Sequence, residues 1–516
     1  MNNPPPNIST DPAAAVPHRA LITICCMAAT LMQALDSTIA NVALPYMQGS
    51  LGASADEITW VLTSYITAAA IMTAPVGWLA SRFGRKNLMV VCLVGFTIAS
   101  MLCGAAQSLT QIVVFRLLQG TFGAALVPLS QSTMMDIYPP EKRGHAMTIW
   151  GVGVMLGPIL GPTIGGYLTD LYNWRWVFYV NLPVGIAAVA GLLMFMPKEP
   201  ANAKMRFDFV GFGVLAMGIG AFQLMLDRGH SQDWFSSTEI LVECVLAGLG
   251  IYLFLVHLLT APKPFISPAL FKDRNFSSGL AMMCAVGVAL VATAALMAPW
   301  LQTLANYPVA TAGLLLSPRG LGTMASMIVG GRLVTLVDPR ILIGAGLLGL
   351  SYSLWIMTGW TPDVSQFDII KAIFIQGLGI GLVFLPLQVV SFATLPAELR
   401  TDAASLMSLS RNVGSAVGVA ITSNALVRNT QIVHSQITET ITPFNRALQA
   451  SKMLDPATAH GAALLDEIVT RQALVIAYID DYKLMIMTSL PALLLLLLMQ
   501  RPSRRVSVDP AHAAMD

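Results

Sequence analysis

The feature that most constrains this chain is a series of apolar blocks, each about 20 residues long, that repeats along almost its whole length. Such a block can cross a hydrocarbon core of roughly 30 Å as a single helix. Of the 516 residues, 55% are hydrophobic and 11% are charged. Soluble domains carry roughly 25% charged residues. The sequence therefore predicts an all-α polytopic membrane protein.

About fourteen candidate transmembrane spans follow from the length and apolarity of these blocks. They begin near Ala20, Glu57, Asn87, Leu109, Ala146, Trp174, Phe209, Thr238, Phe276, Val309, Arg340, Phe367, Asp402 and Lys483. The stretch HGAALLDEIVTRQALVIAYIDDYK has helical periodicity, so we expect it to run as one helix into the last span.

The predicted domains follow from this ladder of spans. Residues 1–19 form a polar, Pro-rich cytoplasmic tail that we expect to be disordered. We expect a six-helix bundle over 20–196, and a second over 276–500 that includes a periplasmic segment, 429–482. Between them, 197–275 hold two accessory transmembrane helices with basic cytoplasmic linkers, and 501–516 form a second cytoplasmic tail.

Lysine and arginine predict the orientation, because cytoplasmic loops carry an excess of both. One set of alternate loops is rich in these cations, whereas the short loops of the other set hold only Arg175 and Arg228. With the basic set inside, both termini are cytoplasmic. An even number of spans agrees with this orientation.

Span 1 carries a polar stripe that includes a carboxylate. Gln33, Asp36, Ser37 and Asn41 lie on one helical face by their spacing. A carboxylate is costly against lipid, so we expect this face to line a central cavity, where intramembrane carboxylates often relay protons. The alternative is an aspartate that is paired only for packing.

Span 4 carries a permanent cation near the middle of the membrane. Arg116 shares a helical face with Gln119, Gly120 and Gly123, and it needs a partner or water. Asp36 is the nearest candidate partner by depth. The alternative is that Arg116 only joins helices.

Span 5 has a glycine every four residues, which permits a second helix to approach closely. These glycines are Gly153, Gly157, Gly161 and Gly165. Pro158 and Pro162 are expected to kink the helix and free backbone carbonyls. A packing seam that also seals the protein against ion leak is the simplest interpretation.

Two further groups of residues are candidates for the transport cycle. Gly77, Gly84 and Arg85 lie in a tight basic turn after span 2, and Asp136 at the inner end of span 4 could pair with Arg85 as a latch. Further polar and aromatic residues are candidates for the cavity wall, although such side chains are often only interhelical contacts. They are Trp300, Gln376, Phe384, Gln388 and Arg411.

Several function classes lack their sequence signatures. There is no P-loop for an ATP-driven pump and no HExxH for a metal-dependent hydrolase. The six cysteines show no spacing typical of a metal site or a disulfide framework. The net charge of +2 is no indication of nucleic-acid binding. The sequence therefore predicts a membrane protein that is not an enzyme, and a membrane receptor stays open beside a transporter.

The motifs in order along the chain resemble those of the major facilitator superfamily, and within it the fourteen-span drug:proton antiporters of the EmrB type. The matching stretches are LDSTIANVALP, GWLASRFGRK, RLLQGTFGAA, GVGVMLGPILGPTIGG, NWRWVFYVNLPVG and SRNVGSAVG. One departure is Ser81, where the loop motif commonly has an aspartate.

The resemblance implies two six-helix bundles around a cavity lined by spans 1, 4, 9 and 12, with spans 7 and 8 beside them. It implies proton-coupled efflux of drugs or other small amphipathic compounds across the bacterial inner membrane by alternating access. Asp36 and Arg116 would couple the proton gradient to transport without a cofactor. The alternative is a proton-linked exporter or importer of one metabolite, such as a fatty acid or siderophore.

EmrB-type pumps commonly work with a periplasmic adaptor and an outer-membrane channel. The resemblance therefore makes these two proteins candidate partners, besides the lipid bilayer, protons and small lipophilic substrates. For Asp36→Asn we expect loss of proton coupling with the fold largely intact.

Overall fold

The computed structural model describes residues 17–139, 142–198, 202, 205–229, 231–334, 336–441 and 458–500. Nearly all of the two predicted tails, and the middle of the predicted periplasmic segment, lie outside these residues. Within the described part the regular elements are all helices. The predicted all-α class is confirmed.

Fourteen long helical segments, named spans 1 to 14 in chain order, account for the candidate membrane crossings. They are Arg19–Leu51, Trp60–Thr73 with Val76–Phe83, Arg85–Ala105, Leu109–Ile137, Arg143–Leu171, Trp176–Phe195, Phe209–Arg228, Thr238–Thr260, Arg274–Leu304, Thr311–Leu333, Pro339–Met357, Gln366–Ala393, Arg400–Thr440 and Ala459–Ser489.

Twelve of these segments are apolar enough to cross a membrane, if the two halves of span 2 count as one. Spans 13 and 14 are the other two, and both carry more charged and polar residues. A criterion based on apolarity alone does not identify these two helices as membrane spans. Their length and their packing into the second bundle complete the fourteen predicted spans.

Span 2 is the one span among the described helices that is sharply broken. Its halves meet at 59°, and Pro75 stands at the break. Proline cannot donate the backbone hydrogen bond that would continue the helix. The second half ends at Phe83 and is followed by Gly84, whose φ of 83° is readily adopted only by glycine. This glycine allows the tight turn into span 3.

Spans 1 to 6 pack on one another, and so do spans 9 to 14. Spans 7 and 8 form a hairpin held by close contact of Gly218 with Gly250. Span 7 also contacts span 2 of the first bundle and span 13 of the second. The accessory hairpin therefore lies beside the junction between the two bundles.

The glycine face of span 5 packs directly on span 1. A Cβ added at each of its four glycines would meet Met27, Ala34, Thr38 and Ile39 in turn. The Thr38 hydroxyl also donates to the Gly157 carbonyl at 3.3 Å. The backbone is helical through Pro158 and Pro162, whose side chains lie outside the described part. The predicted close approach of another helix at this face is confirmed.

Spans 13 and 14 are both longer than a membrane crossing requires. Span 13 has 41 residues, about 60 Å of helix, against a hydrocarbon core of roughly 30 Å. His434 on span 13 meets Asp466 on span 14 at 3.0 Å. Span 14 runs without interruption past Lys483, as its periodicity predicted. The two helices form a projecting pair beyond the second bundle.

Candidate functional site

Asp36 and Arg116 form a completely buried ion pair inside the first bundle. Their side chains are 0% exposed, and Asp36 Oδ2 lies 2.6 Å from Arg116 Nη1. Gln119 Nε2 donates to the other carboxylate oxygen, Oδ1, at 2.7 Å. Asn181 Nδ2 lies 3.3 Å from the same oxygen. Spans 1, 4 and 6 therefore meet at one carboxylate.

Arg116 is held by more than its carboxylate partner. Its Nε donates to the Val61 carbonyl at 3.0 Å, and its Nη1 donates to Gln119 Oε1 at 2.9 Å. The guanidinium lies over the Tyr65 ring, 4.1 Å from the ring centre. Among the described residues, its Nη2 has no hydrogen-bond partner. The arginine is thus fixed in place with one donor unused.

Asn181 is a member of this cluster that the sequence analysis did not single out. Its amide also donates to the Ser100 hydroxyl at 2.9 Å, which joins span 3 to the group. Asn181 stands in the span-6 stretch NWRWVFYVNLPVG. A polar residue inside that apolar stretch was the available signal.

The polar stripe of span 1 divides along the helix. Gln33 is half-buried and donates to the Tyr65 hydroxyl at 3.4 Å, whereas Asn41 is exposed. The Ser37 hydroxyl donates to the Ala34 carbonyl of its own helix. Asp36 alone among the four is fully buried against span 4. The stripe thus combines a buried charge with accessible polar positions above and below it.

Gln388, Phe384 and Arg411 lie where the two bundles meet. Gln131 of span 4 donates to Gln388 Oε1 at 2.7 Å. The Trp150 ring of span 5 stacks on Phe384, with 6.1 Å between the ring centres. A small cavity at this junction is lined by Val127, Gln131, Trp150, Met283, Gln388, Met407, Ser408 and Arg411.

Arg411 contributes a cation to this junction cavity. No hydrogen bond or ion pair of its guanidinium is found within the described part of the chain. An unpaired guanidinium next to apolar and amide groups is a potential binding point for an anionic group.

Trp300 and Gln376 lie elsewhere, contrary to the expectation that they line the cavity. Trp300 is buried against Trp360, with 5.1 Å between the ring centres. Gln376 is 0% exposed and shares a helical face with Ile373 and Ile380, which pack in the same apolar cluster as Trp300. That cluster lies within the second bundle. The helical phase of each residue therefore directs it away from the junction.

An ion-pair network closes the junction on the side predicted to be cytoplasmic. Asp136 at the end of span 4 contacts Arg85 of the basic turn and Arg400 at the start of span 13. The Arg85 contact is the pair that the sequence suggested, whereas the role of Arg400 was not foreseen. Gly77, predicted in the turn, lies instead in the helical second half of span 2, because the chain turns only at Gly84, and it packs directly against Asp402. The network therefore ties the first bundle to the second.

Comparison with known proteins agrees with this architecture. The family model described as Major Facilitator Superfamily matches residues 26–419. The chain belongs to the Major Facilitator Superfamily. Two solved structures resemble its fold. The human organic anion transporter MFSD10 (TETRAN) has a TM-score of 0.59 at 14% identity and covers 92% of this chain and 100% of its own. The proton:xylose symporter XylE has a TM-score of 0.57 at 13% identity, covering 91% and 94%.

Relatives within the superfamily cover most of the chain. The multidrug export protein EmrB of Haemophilus influenzae is 36% identical over 83% of this chain and 85% of its own length. The fatty acid resistance protein FarB of Neisseria gonorrhoeae is 35% identical over 89% and 91%. The predicted resemblance to EmrB-type transporters of the superfamily is confirmed, and the chain is a multi-pass membrane protein.

Proposed function

We propose that this protein exports small lipophilic or amphipathic compounds in exchange for protons by alternating access. The observation that carries the proposal is the buried Asp36–Arg116 pair, at the centre of a bundle where a charge has no structural necessity. Relatives named for multidrug export support the direction of transport.

The geometry around Asp36 indicates how a proton could be coupled to movement. Arg116, Gln119 and Asn181 all donate to the same carboxylate. A proton on Asp36 removes the negative charge that holds Arg116 and turns one acceptor into a donor. The cluster must then rearrange, and because it joins spans 1, 4 and 6, the rearrangement shifts the whole bundle. Substrate release and proton uptake become linked in this way.

The junction cavity is the proposed substrate site. Trp150, which stacks on Phe384, offers apolar contact together with the adaptable Met283 and Met407, while Gln131 and Gln388 offer hydrogen bonds. Such a surface accommodates lipophilic compounds of different shape. The alternative, one specific metabolite such as a fatty acid, is favoured by a single feature, the unpaired cation of Arg411.

We further propose that the protein lies in the bacterial inner membrane with both termini cytoplasmic. The bias of lysine and arginine supports this orientation. The projecting pair of spans 13 and 14 then lies in the periplasm, where it offers a contact for an adaptor protein and an outer-membrane channel. Export from intact cells that survives truncation of this pair would contradict the adaptor contact.

The decisive experiment uses everted membrane vesicles energised by respiration. A lipophilic dye is added, and its accumulation is followed with and without a protonophore. Accumulation that the protonophore abolishes, and that Asp36→Asn lacks, supports proton-coupled export. Full proton-driven accumulation by Asp36→Asn would refute the coupling role of Asp36. Absence of accumulation for a panel of dyes would favour the single-metabolite alternative.

A further inference from the structure

Asp481 of span 14 is a second buried carboxylate. Unlike Asp36, it has no charged or hydrogen-bonding partner among the described residues. Its side chain is 0% exposed, yet neither Oδ1 nor Oδ2 has a hydrogen-bond partner among the described residues. Asp36, by contrast, has a cation and two amide donors. In the sequence, Asp481 lies near the end of the predicted periplasmic segment, and no motif around it indicates a role.

The helices around Asp481 bring no counter-charge to it. Span 14 packs on spans 9, 11 and 13, and on the turn Trp300–Leu304 that ends span 9. Spans 9 and 11 carry one charged residue each, Arg274 and Arg340, both at the opposite, cytoplasmic end. The turn Trp300–Leu304 carries no charged residue.

The middle part of span 13, which packs on span 14, carries two arginines, Arg411 and Arg428. The His434–Asp466 contact sets an antiparallel register that places Val419 opposite Asp481. Arg411 and Arg428 are 8 and 9 residues from Val419, so each lies about 12 Å or more from Asp481 along the axis. The other ionisable groups of span 13 lie nearer its two ends.

The ionisable neighbours on span 14 itself are engaged elsewhere. Asp480 is half-exposed and pairs with Lys483 at 3.0 Å. Arg471 Nη2 donates to the Leu304 carbonyl at 3.0 Å, and the Tyr482 hydroxyl donates to Met297 Sδ at 3.4 Å. Tyr478 is buried in the same apolar cluster. Asp481 is thus surrounded by apolar side chains and by polar groups with other partners.

An ionised carboxylate in such a place is costly. Transfer of a charge from water to an unpaired buried position costs several kcal/mol even after relaxation. A carboxylic acid loses that charge by binding a proton, and the penalty that remains is the smaller one for an unsatisfied polar group. The stable form of Asp481 in this conformation is therefore the neutral acid.

A second unpartnered polar group lies in the same bundle. Gln376 of span 12 is fully buried, and both its Nε2 and its Oε1 lack partners among the described residues. Gln376 is ten residues from the start of its helix, and Gln119 is ten residues from the start of span 4. Each glutamine follows an aliphatic residue and precedes a glycine, in the sequences IQG and LQG. Gln119 donates to Asp36. The second bundle thus has a glutamine at the position equivalent to Gln119, but in this conformation its amide group has no hydrogen-bond partner among the described residues.

Polar groups also lie below Asp481 on the same helical face. Ser489 is two turns further along span 14, and its hydroxyl is 3.1 Å from that of Ser351 on span 11. Ser489 lines a small cavity inside the second bundle. A rearrangement that admits water to this cavity would bring water towards Asp481 from the cytoplasmic side.

We propose that Asp481 is a second proton-binding site, located in the C-terminal bundle and additional to Asp36. It holds a proton in this conformation, where the junction is closed towards the cytoplasm. In the opposite conformation the O–H bond breaks, the proton passes to water, and the carboxylate remains hydrated. The proposal rests on the proposed antiport for its role in transport, but the bound proton itself can be tested without any substrate.

The first test is infrared spectroscopy of the purified protein in lipid nanodiscs at neutral pH. A neutral carboxylic acid has a C=O stretching band that is separate from the amide and carboxylate bands and shifts in heavy water. We expect this band in the wild type, its loss in Asp481→Asn, and its retention in the matched control Asp480→Asn. If Asp481→Asn does not fold, Asp481→Glu should shift the band. An identical band in the wild type and in the folded Asp481 variant would overturn the proposal.

The second test measures proton stoichiometry in proteoliposomes, with ethidium as the probe. We expect Asp481→Asn to carry one proton fewer per ethidium than the wild type, while Asp480→Asn remains unchanged. Equal stoichiometry in Asp481→Asn and the wild type would overturn a role in coupling. Failure of the wild type to carry ethidium in exchange for protons would count against the proposed function instead, and the infrared result would still decide whether Asp481 binds a proton.

Discussion

The burial of Asp36 and Arg116 as a pair determines what happens when either residue is changed. Both side chains are fully enclosed, so removal of one charge leaves the other buried without compensation. Breaking such a pair typically costs about 3–5 kcal/mol, whereas replacing both partners by neutral groups can cost little. The structure thus revises the expectation that Asp36→Asn leaves folding largely intact.

We predict that Asp36→Asn lowers both proton-driven export and the thermal unfolding temperature of the purified protein. The double variant Asp36→Asn with Arg116→Gln should recover most of the lost stability, because no unpaired charge remains, but should stay inactive. Fluorescence-monitored unfolding and vesicle transport separate the two effects. Recovery of transport by the neutral double variant would count against proton coupling at this pair.

Asn181 provides a milder perturbation of the same cluster. It contributes the longest of the three bonds to Asp36, at 3.3 Å, and a bond to Ser100. We predict that Asn181→Leu reduces the rate of proton-coupled export several-fold and shifts its pH profile, because one donor to the carboxylate is lost. Transport assayed over a pH series checks this. An unchanged pH profile with a normal rate would mean that Asn181 only packs.

At the scale of elements, the seam between spans 5 and 1 is the feature with the least tolerance. A Cβ at Gly157 would overlap the Ala34 backbone, which cannot move without span 1. Gly166 on the same helix has nothing within 4 Å of its Cβ position. The chain therefore contains a matched pair of glycines, one enclosed and one open.

We predict that Gly157→Ala destabilises the protein by about 1–3 kcal/mol, the usual cost of overpacking a close contact. Gly166→Ala should be neutral or slightly stabilising, since alanine favours helix. Thermal unfolding of both variants, measured side by side, tests the seam. Equal unfolding temperatures for the two would show that spans 5 and 1 do not pack this closely.

On the scale of the whole molecule, the contacts that join the bundles gather on one side. Asp136 links Arg85 with Arg400, and Gln131 bonds to Gln388 further into the junction. Alternating access requires such contacts to break when the protein opens towards the cytoplasm. The network thus sets the relative population of the two states.

We predict that Arg400→Gln shifts the population towards the state open to the cytoplasm. A cysteine in place of Ser408, which lines the junction cavity, reports this in a background without the native cysteines. In everted vesicles a membrane-impermeant maleimide should label this cysteine about tenfold faster, if the variant lowers the free energy that favours the closed state by about 1.4 kcal/mol. Arg82→Gln, near the end of the second half of span 2, is the control and should leave labelling unchanged. Unaltered labelling in Arg400→Gln would exclude the network as a gate.

Much of this protein follows from its sequence. Fourteen spans, their order and the helix that continues into the last one follow from block length and periodicity, because a helix is the one spanning form that satisfies its own backbone. The pairing of Asp36 with Arg116 follows from depth, since each charge needs a partner and each is the other's nearest candidate. The glycine spacing of span 5 likewise predicts a close helix contact.

The tertiary structure alone decides how residues far apart in the chain are brought together. The sequence around Asn181 marks a polar residue in an apolar stretch, but it does not identify Asp36 as its partner. Likewise nothing local identifies Arg400 as the second partner of Asp136, or Asp481 as a buried acid. Trp300 and Gln376 look like cavity residues in the sequence, but the rotation of their helices places them inside the second bundle. Sequence determines which residues share a helical face. Helix packing determines which neighbour that face meets, and hence whether a polar group is paired, hydrated or left alone.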